Sequence, residues 1–163
     1  MDIFAHALWT YAIFHKQKYK WWGAFFGILP DILSFGPFFV YYHLILGNNF
    51  KNHLINDSVF VMYNITHSLV IFTIFVITVY YITRKIPWLM FGWGMHILID
   101  IPTHTKDFFP TPFLWPLFSL KINGISWGEP WFMIINYSLL IIVYSWIIYK
   151  KYKIKNFKAL HIL

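Results

Sequence analysis

Apolar residues dominate four stretches of this chain, 21–46, 58–83, 87–102 and 131–149, and polar residues gather in the connectors between them. A helical crossing of a membrane takes about 20 apolar residues, so the first, second and fourth stretches have spanning length. The third is short unless its polar C-terminal end also sits at depth. The pattern predicts an all-α chain: a polytopic membrane helix bundle of about four transmembrane helices in one integral membrane domain, 1–163. Residues 1–15, "MDIFAHALWTYAIFH", are apolar but too short to cross. They lack a basic n-region and a small-residue cleavage site, and read as an N-terminal half-membrane helix rather than a signal peptide. The connector 103–130 is long and carries "FFPTPFLWPLF", a composition that predicts a packed external loop or re-entrant piece instead of a loose linker.

Composition strengthens the membrane reading. The chain is 59% hydrophobic and only 12% charged, with a mean hydropathy of +0.57, outside the range of a soluble domain. It has no cysteine, so a metal here must be held by imidazole and carboxylate, the ligands that suit zinc, manganese or iron. The net charge of +7 describes topology rather than a nucleic-acid partner. Ten of the thirteen basic side chains lie in alternate connectors: Lys16, Lys18 and Lys20; Arg84 and Lys85; and Lys150, Lys151, Lys153, Lys155 and Lys158. Only Lys51, Lys106 and Lys121 occupy the others. By the positive-inside rule the basic connectors and the 150–163 tail are cytoplasmic, and loops 47–57 and 103–130 lie outside a cell (inner, cytoplasmic) membrane.

Ionisable residues at membrane depth are costly and point to function. Asp31 lies ten or eleven residues above the cytoplasmic end of the first span, roughly 15 Å deep at ~1.5 Å per residue. His96, eleven residues past Lys85, reaches the same level, and so does His6 if its helix stops at the interface near Lys16. His67 sits about 14 Å from the opposite face of a core ~30 Å thick. Asp100 and His104 follow His96 by one and two helical turns on the same face, a spacing that lets two side chains grip one ion. Two core histidines can satisfy one another by hydrogen bonds. Two buried carboxylates cannot, and no Lys or Arg lies within a span to neutralise them. A buried metal centre with Asp31, His67, His96 and Asp100 around it is therefore expected, with His6 and His104 as further candidate ligands.

Other features have plainer readings. His15, His43, His53 and His161 fall at interfaces, in a loop or in the tail, and are expected to be solvated. Trp21, Trp22, Tyr41, Tyr42 and Trp131 suit an interfacial belt. Gly92 and Gly94, beside His96, point to close helix packing.

The stretches "HALW", "LPDILSF", "YNITHSLVIF" and "HILIDIPTHT" with the later "PFLWPLF" resemble the membrane-bound metal-dependent hydrolase family, which includes a LexA-regulated inner-membrane type. The matching positions are Pro30-Asp31, His67-Ser68, His96 with Asp100, and Trp115-Pro116 followed by Phe118, within residues 1 to 120. Asn64 departs from the pattern, for family members often carry a basic residue shortly before the second-span His. A more distant similarity is to the zinc-dependent phospholipase C and single-strand nuclease superfamily. That similarity implies one site from Asp31, His67, His96 and Asp100, and a second from Met1, His6 and Asp100, with Asp100 bridging. A second His-xxx-acid pair is absent, so one or two divalent ions are expected rather than three, with zinc first and manganese or iron as alternatives.

A divalent ion held by imidazole and carboxylate with an open position activates water and polarises an ester or phosphoryl oxygen. The expected function is hydrolysis of a phosphoester or ester, on a lipid-linked substrate of the bilayer, with Asp31 or Asp100 doubling as general base. Two other classes stay open: an ion or proton transporter using the midplane cluster, and a structural protein stapled by its metal. No nucleic acid is expected as a partner, and an oligomer is compatible with the small number of spans.

Overall fold

A computed structural model describes residues 1–41 and 57–160, the last six without their side chains. His43, His53, His161 and nearly all of loop 47–57 lie outside the described residues. The chain is all-helical, and the described residues include no strand, only an isolated bridge between Thr105 and Phe108. Among the described residues six helices follow one another: α1 (Ile3–Phe14), α2 (Lys20–Phe39), α3 (Asp57–Thr66), α4 (Leu69–Thr83), α5 (Phe91–Thr103), preceded by a 3-10 turn at Trp88–Met90, and α6 (Pro130–Leu160). They form two compact units, Met1–Trp127 and Gly128–Leu163.

Fewer helices have spanning length than the four apolar stretches suggest. Among the described residues two are long and apolar enough to cross a membrane, α2 and the Pro130–Ile154 portion of α6, and α3 with α4 make a third if that bent pair is one span. The stretch 87–102 becomes only the thirteen-residue α5, about 20 Å long, with Pro102 near its end. The stretch 58–83 is broken rather than continuous. Ser68 is extended (φ −101°, ψ 124°), the axes of α3 and α4 differ by 57°, and the Ser68 hydroxyl accepts from Val70 N and Ile71 N to cap α4.

Such a break frees backbone groups that an apolar setting would leave unpaired. Here neighbours take them up. Trp93 Nε1 donates to Thr66 O at 2.6 Å, Leu69 N donates to Phe113 O at 2.9 Å, and the Ser68 hydroxyl donates to Trp115 O. The connector 103–130 therefore packs against the helix break. It also returns to the end of α5, where Gly124 N, Ile125 N and Trp127 N donate to His104 O, Pro102 O and Thr103 O at 2.8, 2.8 and 3.1 Å. Phe109 adopts φ 47°, unusual for an aromatic residue, with its carbonyl accepting from Tyr63 Oη at 2.7 Å and its ring stacked on Phe60.

Small residues bring the first unit's helices together. Gly23, Ala24 and Gly27 are buried on α2, which packs against both α1 and α5. At Gly92 a Cβ would collide with the carbonyl of Gly23, and at Gly27 with the side chain of Thr10. Close approach of backbones is how helices associate where burying apolar surface supplies little drive. The second unit contrasts with this. On α6, Ile134, Ile141, Ile142 and Ile148 are each more than 60% exposed, as expected of a helix whose surroundings are themselves apolar.

Candidate metal centre

Each candidate ligand is delivered by a different local device. Asp2 caps α1, its carboxylate accepting from Ala5 N at 2.9 Å, and this sets Met1 and His6 at the inner end of that helix. Pro30 lies inside α2 just before Asp31, and its carbonyl accepts from Ser34 Oγ at 2.8 Å. His67 stands at the break between α3 and α4, while His96 and Asp100 lie one turn apart on the buried face of α5 and His104 caps its end.

Asp31, His67, His96 and Asp100 converge so that one ligand atom from each lies within 4.8 Å of every other, a group that can hold a metal ion. His67 Nε2 is 3.1 Å from His96 Nε2, 3.5 Å from Asp31 Oδ1 and 3.6 Å from Asp100 Oδ2. His96 Nε2 is 3.7 Å from Asp31 Oδ1 and 3.2 Å from Asp100 Oδ2. A tetrahedron with centre-to-corner distances of about 2.0–2.1 Å, those of zinc with imidazole and carboxylate, has edges of about 3.3–3.4 Å. The five edges that involve His67 or His96 bracket that value.

Hydrogen bonds behind the rings decide what the ring atoms in front can do. His96 Nδ1 donates to Gly27 O at 2.7 Å, and His67 Nδ1 donates to Tyr63 O at 3.2 Å, with Thr66 Oγ1 3.0 Å away. Carbonyls accept only, so both Nδ1 atoms carry hydrogen, and each neutral ring presents the Nε2 lone pair forward. Two lone pairs and two carboxylate oxygens then face one another at 0–17% exposure. With both rings neutral, four acceptors face one another without a donor, an arrangement that a bound cation relieves, so the donor chemistry fits a metal.

The other oxygen of Asp100 has a separate neighbourhood. Oδ1 meets the Met1 amine, His6 Nε2 at 2.8 Å and His104 Nε2 at 3.4 Å, and the amine donates to His104 Nε2 at 3.0 Å. The His6 ring also stacks on His96, centroids 3.7 Å apart. All six expected residues are therefore drawn into one assembly, with Asp100 shared between its halves. Asp31, at 17%, is the most exposed of them, and it lies beside a cleft of about 730 Å³ that His104 and Met1 also line. His15 stays apart, its Nδ1 donating to Ala12 O at the end of α1.

Several supporting residues carry no signal that spacing alone would reveal. Tyr63 stacks on the His67 ring at 3.8 Å, and Ser34 and Thr66 share a 2.7 Å hydrogen bond behind that histidine. Thr66 is adjacent to His67, and Ser34 follows Pro30 by one helical turn, which are hints that become legible only once α2 and α3 are seen to touch. Gly27 contributes a carbonyl, which no residue type announces. Comparison of the chain with family models, with curated proteins and with solved structures finds no match.

Proposed function

We propose that this chain is a membrane-embedded metal-dependent hydrolase acting on a phosphoester or ester. The observation that carries the reading is the facing of two imidazole Nε2 atoms, their Nδ1 atoms tied to carbonyls, toward one another and toward two carboxylates at 3.1–3.7 Å, with all four ligand atoms within 4.8 Å of one another. Asp31, His67, His96 and Asp100 would hold one ion, and Met1, His6 and His104 with the second oxygen of Asp100 would hold a second. Zinc fits the ligand types and edge lengths best, with manganese or iron as alternatives. When bound, such an ion supplies a lowered pKa for water and polarises the ester or phosphoryl oxygen.

The chain's own residues divide the remaining work. Hydrolysis forms a bond from the water oxygen to phosphorus or carbonyl carbon, breaks the ester bond, and moves one water proton to the departing oxygen. Asp100 is 1% exposed and occupied on both oxygens, so Asp31, partly exposed at the cleft, is the carboxylate positioned to take that proton as general base. His96 and His67, held by Gly27, Tyr63 and Thr66, keep the site's geometry while charge develops. Burial of the remaining groups excludes bulk water from all but the cleft side.

The finer membrane topology belongs to the same proposal. With α5 and its polar end at depth as a fourth traverse, the basic connectors and tail face the cytoplasm of a cell (inner) membrane and the 103–130 connector covers the outer side. The resemblance to the membrane-bound hydrolase family supports the reading, since it draws on the same Pro-Asp, His-Ser and His-xxx-Asp positions. The test is the metal-to-protein ratio of the detergent-purified protein, by elemental mass spectrometry, beside turnover of a phosphomonoester, phosphodiester and carboxylic ester panel. A ratio of one or two that collapses in the H96A/D100A double variant, with turnover lost alongside, is expected. No stoichiometric metal after reconstitution with zinc, manganese and iron, or metal without turnover of any panel member, overturns the reading.

A further inference from the structure

We propose that the cleft beside Asp31 holds one apolar chain of a membrane lipid, whose ester or phosphoester head then lies at Asp31 and His104. The inference rests on the hydrolase reading for the fate of the head, and on the cleft itself for the seat of the chain. The cleft's volume of about 730 Å³ falls within the range of small-molecule sites, ~300–1,000 Å³. Its lining is strongly asymmetric. Asp31, His104, Met1 and Asp2 are the polar or charged groups at one end, whereas Phe4, Ile32, Phe35 and Phe39 supply walls with nothing to hydrogen-bond a polar ligand. A wholly polar substrate would leave those walls unused, and a wholly apolar one would leave the carboxylate and imidazole facing hydrocarbon.

The mouth says where the chain comes from. Phe4 is 73% exposed, Phe39 51% and Ile32 39%, a contiguous apolar rim that a water-facing surface seldom carries. Asp31 to Phe39 spans eight residues of α2, about 12 Å along the helix axis, and α2 is one of the two helices long and apolar enough to cross a membrane. The cleft thus opens along a spanning helix, toward the acyl region of a bilayer, with its polar end at the candidate metal centre. A molecule that is apolar along its length and polar at one end matches that gradient, and a lipid is such a molecule already dissolved in the medium the mouth faces.

Gly36 offers a clean way to block the cleft. It lines the groove, and a Cβ added there meets only Ile32 Cγ2, at 3.7 Å, which is ordinary contact. Replacing Gly by Leu inside a helix also favours the helix, so G36L should fill the groove without unfolding α2. The full chain would be placed in phosphatidylcholine nanodiscs doped with a phosphatidic acid bearing a diazirine on one acyl chain, irradiated, and its labelled peptides identified by mass spectrometry. Wild type is expected to be labelled in peptides containing residues 1–4 and 32–40. G36L should lose about tenfold of that labelling, with labelling of α6 and metal content unchanged. F39A, which removes a half-exposed wall without opening a core cavity, should lose a smaller part of it. Equal labelling of 32–40 in wild type and G36L, labelling there no stronger than on α6, or crosslinks from 32–40 to a second copy of the chain overturn the inference. Groove-dependent labelling in a protein without metal or turnover supports the lipid seat and fells the hydrolase reading alone. Metal and turnover of a water-soluble ester, with labelling indifferent to G36L, do the reverse.

Discussion

The two oxygens of Asp100 look into unlike neighbourhoods. On the Oδ2 side stand His67 and His96, each ring steered by a hydrogen bond from Nδ1 to a backbone carbonyl, and Asp31 completes the group. On the Oδ1 side stand His6 and His104, whose buried Nδ1 atoms have no hydrogen-bond partner among the described residues, and the Met1 amine. The first side has a fixed tautomer and a fixed ring plane before any ion arrives. The second relies on a terminal amine and on ring stacking, His6 on His96 and His104 on Phe108. Orientation set in advance is what tightens a metal site, because little freedom is left to lose on binding. The comparison teaches that one carboxylate can join a rigid half-site to an adaptable one, and it ranks the two: the Oδ2 side should bind first and hold hardest.

The sharpest break of that ranking is removal of the shared carboxylate. D100A takes a ligand from both sides and should abolish stoichiometric metal altogether, whereas H6A should leave one ion per chain on the Oδ2 side. Elemental mass spectrometry of the two variants decides between them, and equal losses would mean that the halves are not distinct. A smaller effect is expected from T66V, which keeps every ligand but removes the hydroxyl beside His67 Nδ1 and the bond to Ser34. Loss of such an outer partner costs about 10–100-fold in metal affinity, readable by competition with a chelator of known strength. The perturbation that leaves every ligand and its hydrogen-bonding side chain in place is G92A. A Cβ there presses on Gly23 O, moving α5 away from α2 at the contact that carries the His96–Gly27 bond. Overpacking of this kind costs about 1–3 kcal/mol, measured as a lowered Tm in detergent. The affinity change should be largest on the Oδ2 side, where the His96–Gly27 bond is lost.

A second contrast, between α5 and α6, shows how far local pattern goes. Both derive from stretches that read as apolar, yet α5 buries Gly92, Trp93, Gly94, His96, Ile97 and Asp100, while α6 leaves most of its isoleucines exposed. The difference was legible in the chain, because only the α5 stretch interleaves glycine, histidine and aspartate with its apolar residues. The spacing of His96, Asp100 and His104 placed three side chains on one helical face by the period of the helix alone. Depth reckoning from the basic connectors likewise singled out Asp31, His67 and His6 without any contact being known.

The break at His67-Ser68 was not legible in that way. The stretch 58–83 is long enough for one crossing, and its polar run Asn64-Ile65-Thr66-His67-Ser68 reads equally well as ligand-bearing residues of a continuous helix. The cost of opening a helix there is met by Trp93, Phe113 and Trp115, residues 20 to 50 positions away, so the signal was distributed along the chain. The same holds for the end of the thirteen-residue α5, whose last carbonyls accept from Gly124, Ile125 and Trp127 of the returning loop.

Composition and periodicity, both local properties, determined that this chain is helical and apolar, that Asp31, His67, His96 and Asp100 lie inside apolar segments, and that His96 and Asp100 act as a pair. Tertiary structure alone decided which carbonyls lock the imidazoles, that the two oxygens of Asp100 serve different neighbours, and that Asp31 stands at the end of an apolar cleft. Those features need backbone atoms and side chains from separate helices within about 3 Å of one another, the scale on which hydrogen bonds act. Small residues such as Gly23, Gly27 and Gly92 allow that approach, and what they bring together is written in no single stretch of the chain.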